Sequence, residues 1–119
     1  MRRKGLVFGF LIAITISMSA VSLSAQDTKK IDAGKKLYTA KECSKCHKIA
    51  GKGNRAGSNL DGVASKLSAD EIRGWLTNTI EMEKKLEHKP KVKMSSRIAK
   101  MNLKDADIEA LVAYLQTLK

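Results

Sequence analysis

The sequence predicts a small all-α domain, about three helices joined by long loops, and three observations carry that expectation. Apolar residues recur at helical spacing in two stretches, around Ile72–Ile80 and Ile108–Leu118. No stretch alternates apolar and polar residues long enough to read as a strand. Between residues 43 and 66, Gly51, Gly53, Gly57 and Gly62 mix with Asn54, Ser58 and Asn59, a composition that resists a long regular element.

The first segment reads as an export signal rather than as part of that domain. Met1-Arg2-Arg3-Lys4 is basic, Leu6–Ile16 is an apolar run, Ser17–Ala25 is small and mildly polar, and no charge occurs from Gly5 to Gln26. Basic start, apolar middle and small-residue end make a secretory leader. Cleavage is expected after Ala25, with the bond after Ser24 as the alternative. An uncleaved anchor would need about 20 apolar residues, and this stretch loses its hydrophobicity after Ala20. The expected organisation is therefore a signal peptide over 1–25 and one domain over 26–119, soluble and periplasmic.

Within the domain, Gln26–Lys30 reads as a polar tail. Asp32 can cap a first helix running to about Lys41, with Leu37 and Tyr38 as its larger apolar groups. Residues 43–66 read as a loop with short turns. Ser68-Ala69-Asp70-Glu71 is a capping box, opening a second helix to about Met82 or Leu86 with Ile72, Trp75, Leu76, Thr79 and Ile80 on one face. Residues 84–101 read as a basic loop broken by Pro90. A last helix starts near Lys104 or Asp105, with Ile108, Leu111, Val112, Leu115 and Leu118 as its stripe.

Composition narrows the function. The 119 residues carry 23 Lys and Arg against 12 Asp and Glu, a net charge of +11. Removing Arg2, Arg3 and Lys4 with the leader leaves 20 basic residues against 12 acidic, or +8. At 43% hydrophobic residues the chain is no disordered polyelectrolyte. Two cysteines cannot form a disulfide scaffold, and neither a Gly-rich phosphate loop nor a G-x-S-x-G occurs. Beyond the leader the large rings are Tyr38, Trp75 and Tyr114 alone. Long loops and so few rings leave a compact domain short of apolar bulk unless something else fills its middle.

Cys43-Ser44-Lys45-Cys46-His47 supplies that something. C-x-x-C-H is the attachment signature of c-type haem. Two thiols three positions apart can add to the two vinyl groups on one edge of a porphyrin, and the next imidazole can ligate the iron beneath it. Other readings stand beside it. A dithiol redox motif needs no His47 and expects a βαβ context. A zinc site could draw on Cys43, Cys46, His47 and His88, but adjacent Cys46 and His47 rarely both reach one tetrahedral ion. A Cys43–Cys46 disulfide would close a strained small ring. The motif together with an export signal favours haem.

At these residues the sequence resembles the small monohaem c-type cytochromes of class I, over nearly the whole expected domain. Gly34-Lys35-Lys36-Leu37-Tyr38 is similar to the family's glycine-aromatic N-terminal helix, and Leu103–Leu118, with Ala113-Tyr114-Leu115, to its C-terminal helix. The resemblance implies a small cytochrome c-like fold wrapped round one covalent haem c. In it these two helices cross, Gly34 permits close approach, and Tyr38 and Tyr114 are core.

The resemblance also implies a methionine on the far face of the iron. Met82 reads as core and Met101 as packing beside the last helix. Met94 sits in the expected loop, where a sulfur is free to fold over the ring, and is the favoured sixth ligand with His47 as the fifth. It is followed by Ser95 where the family often has proline. His88 is the alternative, and a five-coordinate iron the third option. Gly57-Ser58-Asn59-Leu60 stands where the family often has Gly-Pro before a leucine. The Ser58 carbonyl could accept the His47 Nδ1–H, orienting the ring. Trp75 resembles an aromatic packed near the haem.

The function implied is a periplasmic one-electron carrier with no catalytic residues of its own, and so not an enzyme. The alternatives are a haem enzyme or gas or redox sensor with an open distal site, and a cytochrome subunit of a larger complex. Lys84, Lys85, Lys89, Lys91, Lys93, Arg97 and Lys100 oppose only Glu83 and Glu87 between residues 83 and 100. This collar suits an acidic docking patch on a redox partner. An exported chain meets little nucleic acid, so none is expected; membrane contact is at most peripheral, and a monomer is expected.

Overall fold

The computed structural model describes residues 21–119, with side chains from Ala25 onward. Residues 1–20 of the expected leader lie outside the described residues. The described residues are all-α apart from one tiny ribbon. Its elements run α1 (Val21–Ala40), β1 (Lys48–Ile49), β2 (Lys52–Gly53), α2 (Val63–Lys66), α3 (Ala69–Thr77), α4 (Thr79–Lys84), α5 (Met94–Met101) and α6 (Asp105–Leu115).

Helices α1, α3 and α6 fall where the three helices are expected, and with Val63 of α2 they make the core. Tyr38, Val63, Ile72, Leu76, Ile108, Leu111, Val112 and Leu115 form one buried cluster. Helix α1 packs chiefly on α6. Their crossing is set by Gly34, where an added Cβ would lie 1.9 Å from the Ala110 carbonyl oxygen and 2.7 Å from the Tyr114 Cβ. Only a residue without a side chain lets two backbones come that close. One turn further along, the Tyr38 and Tyr114 rings meet edge to face, centroids 5.9 Å apart. The Arg73 guanidinium bridges α3 to α6 through a forked pair of bonds to Glu109, 2.8 and 3.1 Å.

Several elements depart from expectation. Gln26–Lys30 is helical within α1 and exposed, not a tail. The Ser68 capping box forms as expected, with Glu71 N–H donating to Ser68 Oγ at 3.2 Å and Ser68 N–H to Glu71 at 2.8 Å. The helix it opens stops at Thr77, however, and α4 restarts after Asn78. Thr77 and Thr79 turn their hydroxyls back onto the Arg73 and Trp75 carbonyls at 2.9 and 2.7 Å. Such back-bonding competes with the helical ladder. The break rotates Ile80 off the apolar face, leaving it 62% exposed.

The basic stretch is not all loop either: α5 occupies Met94–Met101. Met94, Ile98 and Met101 stand at i, i+4 and i+7, a helical spacing that the surrounding basic residues and Pro90 obscure. The expected loop over 43–66 contains α2 and a two-residue hairpin, Lys48 pairing Gly53 and Ile49 pairing Lys52. Ala50 and Gly51 turn it, both at positive φ (48° and 78°) as a type I′ turn requires. The Asp61 carboxylate accepts the Ala50 N–H at 2.7 Å and holds the turn. Among the described residues no helix is long and apolar enough to cross a membrane.

Candidate functional site

A cavity of about 440 Å³ opens beside the core, in the range of small-molecule and cofactor sites. The end of α1, the Cys43–His47 segment, the 56–60 loop, α3, α5 and α6 all contribute to its lining. Apolar side chains such as Leu60, Leu67, Leu76 and Leu111 make its inner wall. The core cluster is thus one side of a space that the polypeptide does not fill.

The Cys-x-x-Cys-His segment forms one edge. Glu42, in the left-handed region at φ 58°, turns the chain out of α1 into a single 3₁₀ turn over Cys43–Lys45. Cys46 N–H and His47 N–H both donate to the Cys43 carbonyl, at 3.1 and 2.9 Å. That turn brings Cys43, Cys46 and His47 to the same cavity. Both cysteines are unbridged and half-buried. Burial pushes the Cys43 thiol above its ordinary range.

The imidazole is held from several directions. His47 Nδ1 lies 2.8 Å from the Ser58 carbonyl oxygen. A carbonyl can only accept, so Nδ1 carries a proton, and in the neutral ring Nε2 is the nitrogen with the lone pair. The loop needs only a backbone carbonyl here, which Ser58 supplies as any residue would. An added Cβ at Gly57 would stand 2.9 Å from the ring Cε1 and 3.0 Å from Nδ1. At Gly53, φ +112°, it would stand 2.1 Å from the His47 carbonyl oxygen. The Tyr38 hydroxyl donates to that same carbonyl at a long 3.3 Å. Burial raises the Tyr38 phenol to about 12.

Other elements bring the methionines. Met94 is the first residue of α5, not a loop residue, and Met101 is the last. Seven residues apart, they share one helix face, and both line the cavity with Ile98 between them. Met94 and Ile98 also pack against the buried core cluster. Met101 therefore borders the same space rather than being committed to packing elsewhere. Met82 is half-buried and faces Gly74, its sulfur 3.4 Å from where a Cβ would be. His88 is exposed in the segment between α4 and α5 and is not part of the lining. Trp75 does line the cavity.

Two contacts escaped sequence reasoning. The Glu83 carboxylate of α4 accepts from Ser95 N–H at 2.9 Å and Ser95 Oγ–H at 2.8 Å. Those bonds hold its carboxyl below the usual range. Lys41 Nζ donates to the Met101 carbonyl at 2.9 Å. The first pair is separated by 12 positions and the second by 60, and no local pattern links such residues.

The donor set suits one group. Two thiols and an imidazole with a free Nε2 lie on the edge of an apolar cavity, with thioethers on α5. Among the described residues no cluster of three or more His, Cys, Asp and Glu could hold a bare metal ion. Hard-cation and structural-zinc sites need such clusters. A planar, apolar macrocycle that carries its own iron and bonds two thiols needs none.

Searches against curated proteins and against solved structures return no match. A family model described as cytochrome c matches residues 31–119, from α1 through α6 to the end of the chain. The polypeptide that wraps this cavity therefore belongs to the cytochrome c family, whose members bind haem c covalently and carry electrons with it.

Proposed function

We propose that this cytochrome c acts as a periplasmic one-electron carrier, with Cys43 and Cys46 as the haem thioethers and His47 and Met94 as the axial ligands. When bound, haem c supplies the one-electron Fe(II)/Fe(III) couple. The chain supplies the setting. Ser58 keeps the His47 proton on Nδ1 and so leaves Nε2 as the donor, strengthened by that bond. A thioether partner favours Fe(II) and raises the potential relative to a second imidazole. The apolar wall excludes water and disfavours the more highly charged oxidised state. Two ligands already committed in both oxidation states leave little to rearrange on transfer.

The observation that carries this reading is the shared cavity of Cys43, Cys46, His47 and Met94. Met94 is the methionine that the sequence favours; Met101 lines the same cavity and is its rival. His88 is exposed outside the cavity lining. Export rests on the leader-like sequence of residues 1–25.

Docking follows from the rim. Lys45, Arg97 and Lys100 border the cavity, and Lys84, Lys85, Lys89, Lys91 and Lys93 are exposed on the adjoining segment. Leu86 and Val92, 40% and 43% exposed, lie among them. A weak interface of apolar centre and basic margin suits an acidic redox partner that must leave after each transfer. Spectra of purified holoprotein variants test the ligand assignment. Met94→Ala should abolish the weak red band of a sulfur–Fe(III) bond, and Met101→Ala should keep it. The reverse pattern would move the ligand to Met101.

A further inference from the structure

The helix that carries Met94 has unusually little to hold it. Helix α5 has eight residues, none of them buried. Its first turn lacks a cap of its own: Lys93 stands at the N-cap and makes no side-chain bond to the helix. Lysine has no acceptor oxygen, so it cannot satisfy the free N–H groups there. The segment before it, from Lys85 to Lys93, is irregular and includes Pro90. Among the described residues its principal packing partner is α4.

From α4 comes the missing acceptor. Both oxygens of Glu83 are engaged by Ser95, one by the backbone N–H at 2.9 Å and one by the hydroxyl at 2.8 Å. A carboxylate at a helix N-terminus also faces the positive end of the helix dipole. Glu83 is thus a cap supplied in trans, from the neighbouring helix instead of the preceding residue. At the other end, the Lys41 ammonium sits on the Met101 carbonyl at 2.9 Å, a cation on the negative end. The pair pins α5 at both termini, and the N-terminal pin is one residue from Met94.

We infer that Glu83 is the positioning residue for the Met94 ligand: by closing the first turn of α5 it fixes where the Met94 sulfur stands relative to His47. The inference rests on the assignment of Met94 as sixth ligand. Glu83 touches neither the iron nor the sulfur; it acts through Ser95. Losing it frees the first turn to fray, and the sulfur then leaves its place more often. The iron–sulfur bond opens more readily while the covalent attachment and the core remain.

The test uses holoprotein variants and two readouts: the red sulfur–Fe(III) band, and the rate at which cyanide binds the ferric protein, which requires the sulfur to leave. Glu83→Ala should weaken the band and speed cyanide binding about tenfold or more, the scale of one lost charge-assisted hydrogen bond. Glu83→Gln keeps an acceptor for Ser95 N–H and should stay within about threefold of the parent. Adding Lys93→Asp to Glu83→Ala gives α5 its own N-cap and should restore both readouts; a merely structural role of Glu83 in α4 would not be rescued from residue 93. If Glu83→Ala yields no holoprotein, Ser95→Ala decides, with cyanide binding expected about threefold faster and an unchanged rate overturning the proposal. A band lost in Met94→Ala but intact, with an unchanged cyanide rate, in Glu83→Ala overturns this proposal alone. A band that survives Met94→Ala overturns the ligand assignment and the positioning role with it.

Discussion

Gly34→Ala separates intrinsic preference from tertiary fit, because the two push in opposite directions. Gly34 lies inside α1, and on helix propensity alone alanine there should stabilise by about 1 kcal/mol. At the crossing with α6 the added Cβ would stand 1.9 Å from the Ala110 carbonyl oxygen, 2.6 Å from its carbon and 2.7 Å from the Tyr114 Cβ. The first two are backbone atoms of a buried helix, which cannot swing aside as a flexible side chain would. The helices must part by about 1 Å, which loosens the whole α1–α6 contact. Overpacking of this kind costs about 1–3 kcal/mol. The Tyr38–Tyr114 pair, 5.9 Å between centroids, sits at the same crossing and puts a further 0.5–1.5 kcal/mol or so at risk. Set against the propensity gain, the net expectation is a loss of about 0.5–3.5 kcal/mol, centred near 2. Urea denaturation of the holoprotein, followed by far-UV circular dichroism, measures it. With a slope of about 2 kcal/mol per molar, the central loss lowers the midpoint by about 1 M. A midpoint equal to or above the parent's would refute the argument and mean that α1 and α6 do not cross at Gly34.

Two further outcomes follow from the shell around His47. Gly57→Ala brings a methyl within 3.0 Å of His47 Nδ1 and 2.9 Å of Cε1, so the ring must tilt off the Ser58 carbonyl. We expect a loss of about 1–3 kcal/mol in holoprotein urea melts, and an unchanged melt would count against the packed loop. Tyr38→Phe tests the alkaline limb of stability. Burial raises the Tyr38 phenol from 10.0 to about 12 in the folded protein. Between those values the unfolded chain loses the phenolic proton first, so this residue's contribution is whole below pH 10 and is lost as pH rises through 12. Two pKa units correspond to about 2–3 kcal/mol as an upper bound. The difference in stability between parent and Tyr38→Phe should therefore shrink over that window, and parallel pH profiles would refute it.

Much of the molecule is written in local pattern, and the rest in encounters between distant segments. The capping box at Ser68, the stripe of α6 and the Cys43–His47 motif each operate within a few residues. Their physics is complete before the chain folds: a side-chain cap, a 3.6-residue period, two thiols and an imidazole at fixed spacing. The family follows from that motif. The Ser58 carbonyl on His47 was also legible, since any residue there offers the same backbone acceptor.

Other features needed the folded chain. The break at Asn78 depends on hydroxyls choosing carbonyls within a helix that propensity alone would continue. Helix α5 has no buried residue and no cap of its own, and it stands because Glu83, 12 positions before Ser95, and Lys41, 60 before Met101, arrive at its two ends. Turning Met94 and Met101 toward one cavity is likewise a matter of where α5 is set down. Short-range order comes from geometry that each segment carries with it. The position of a ligand sulfur depends on contacts that exist only once the chain has closed on itself, and no periodicity in the residues records them.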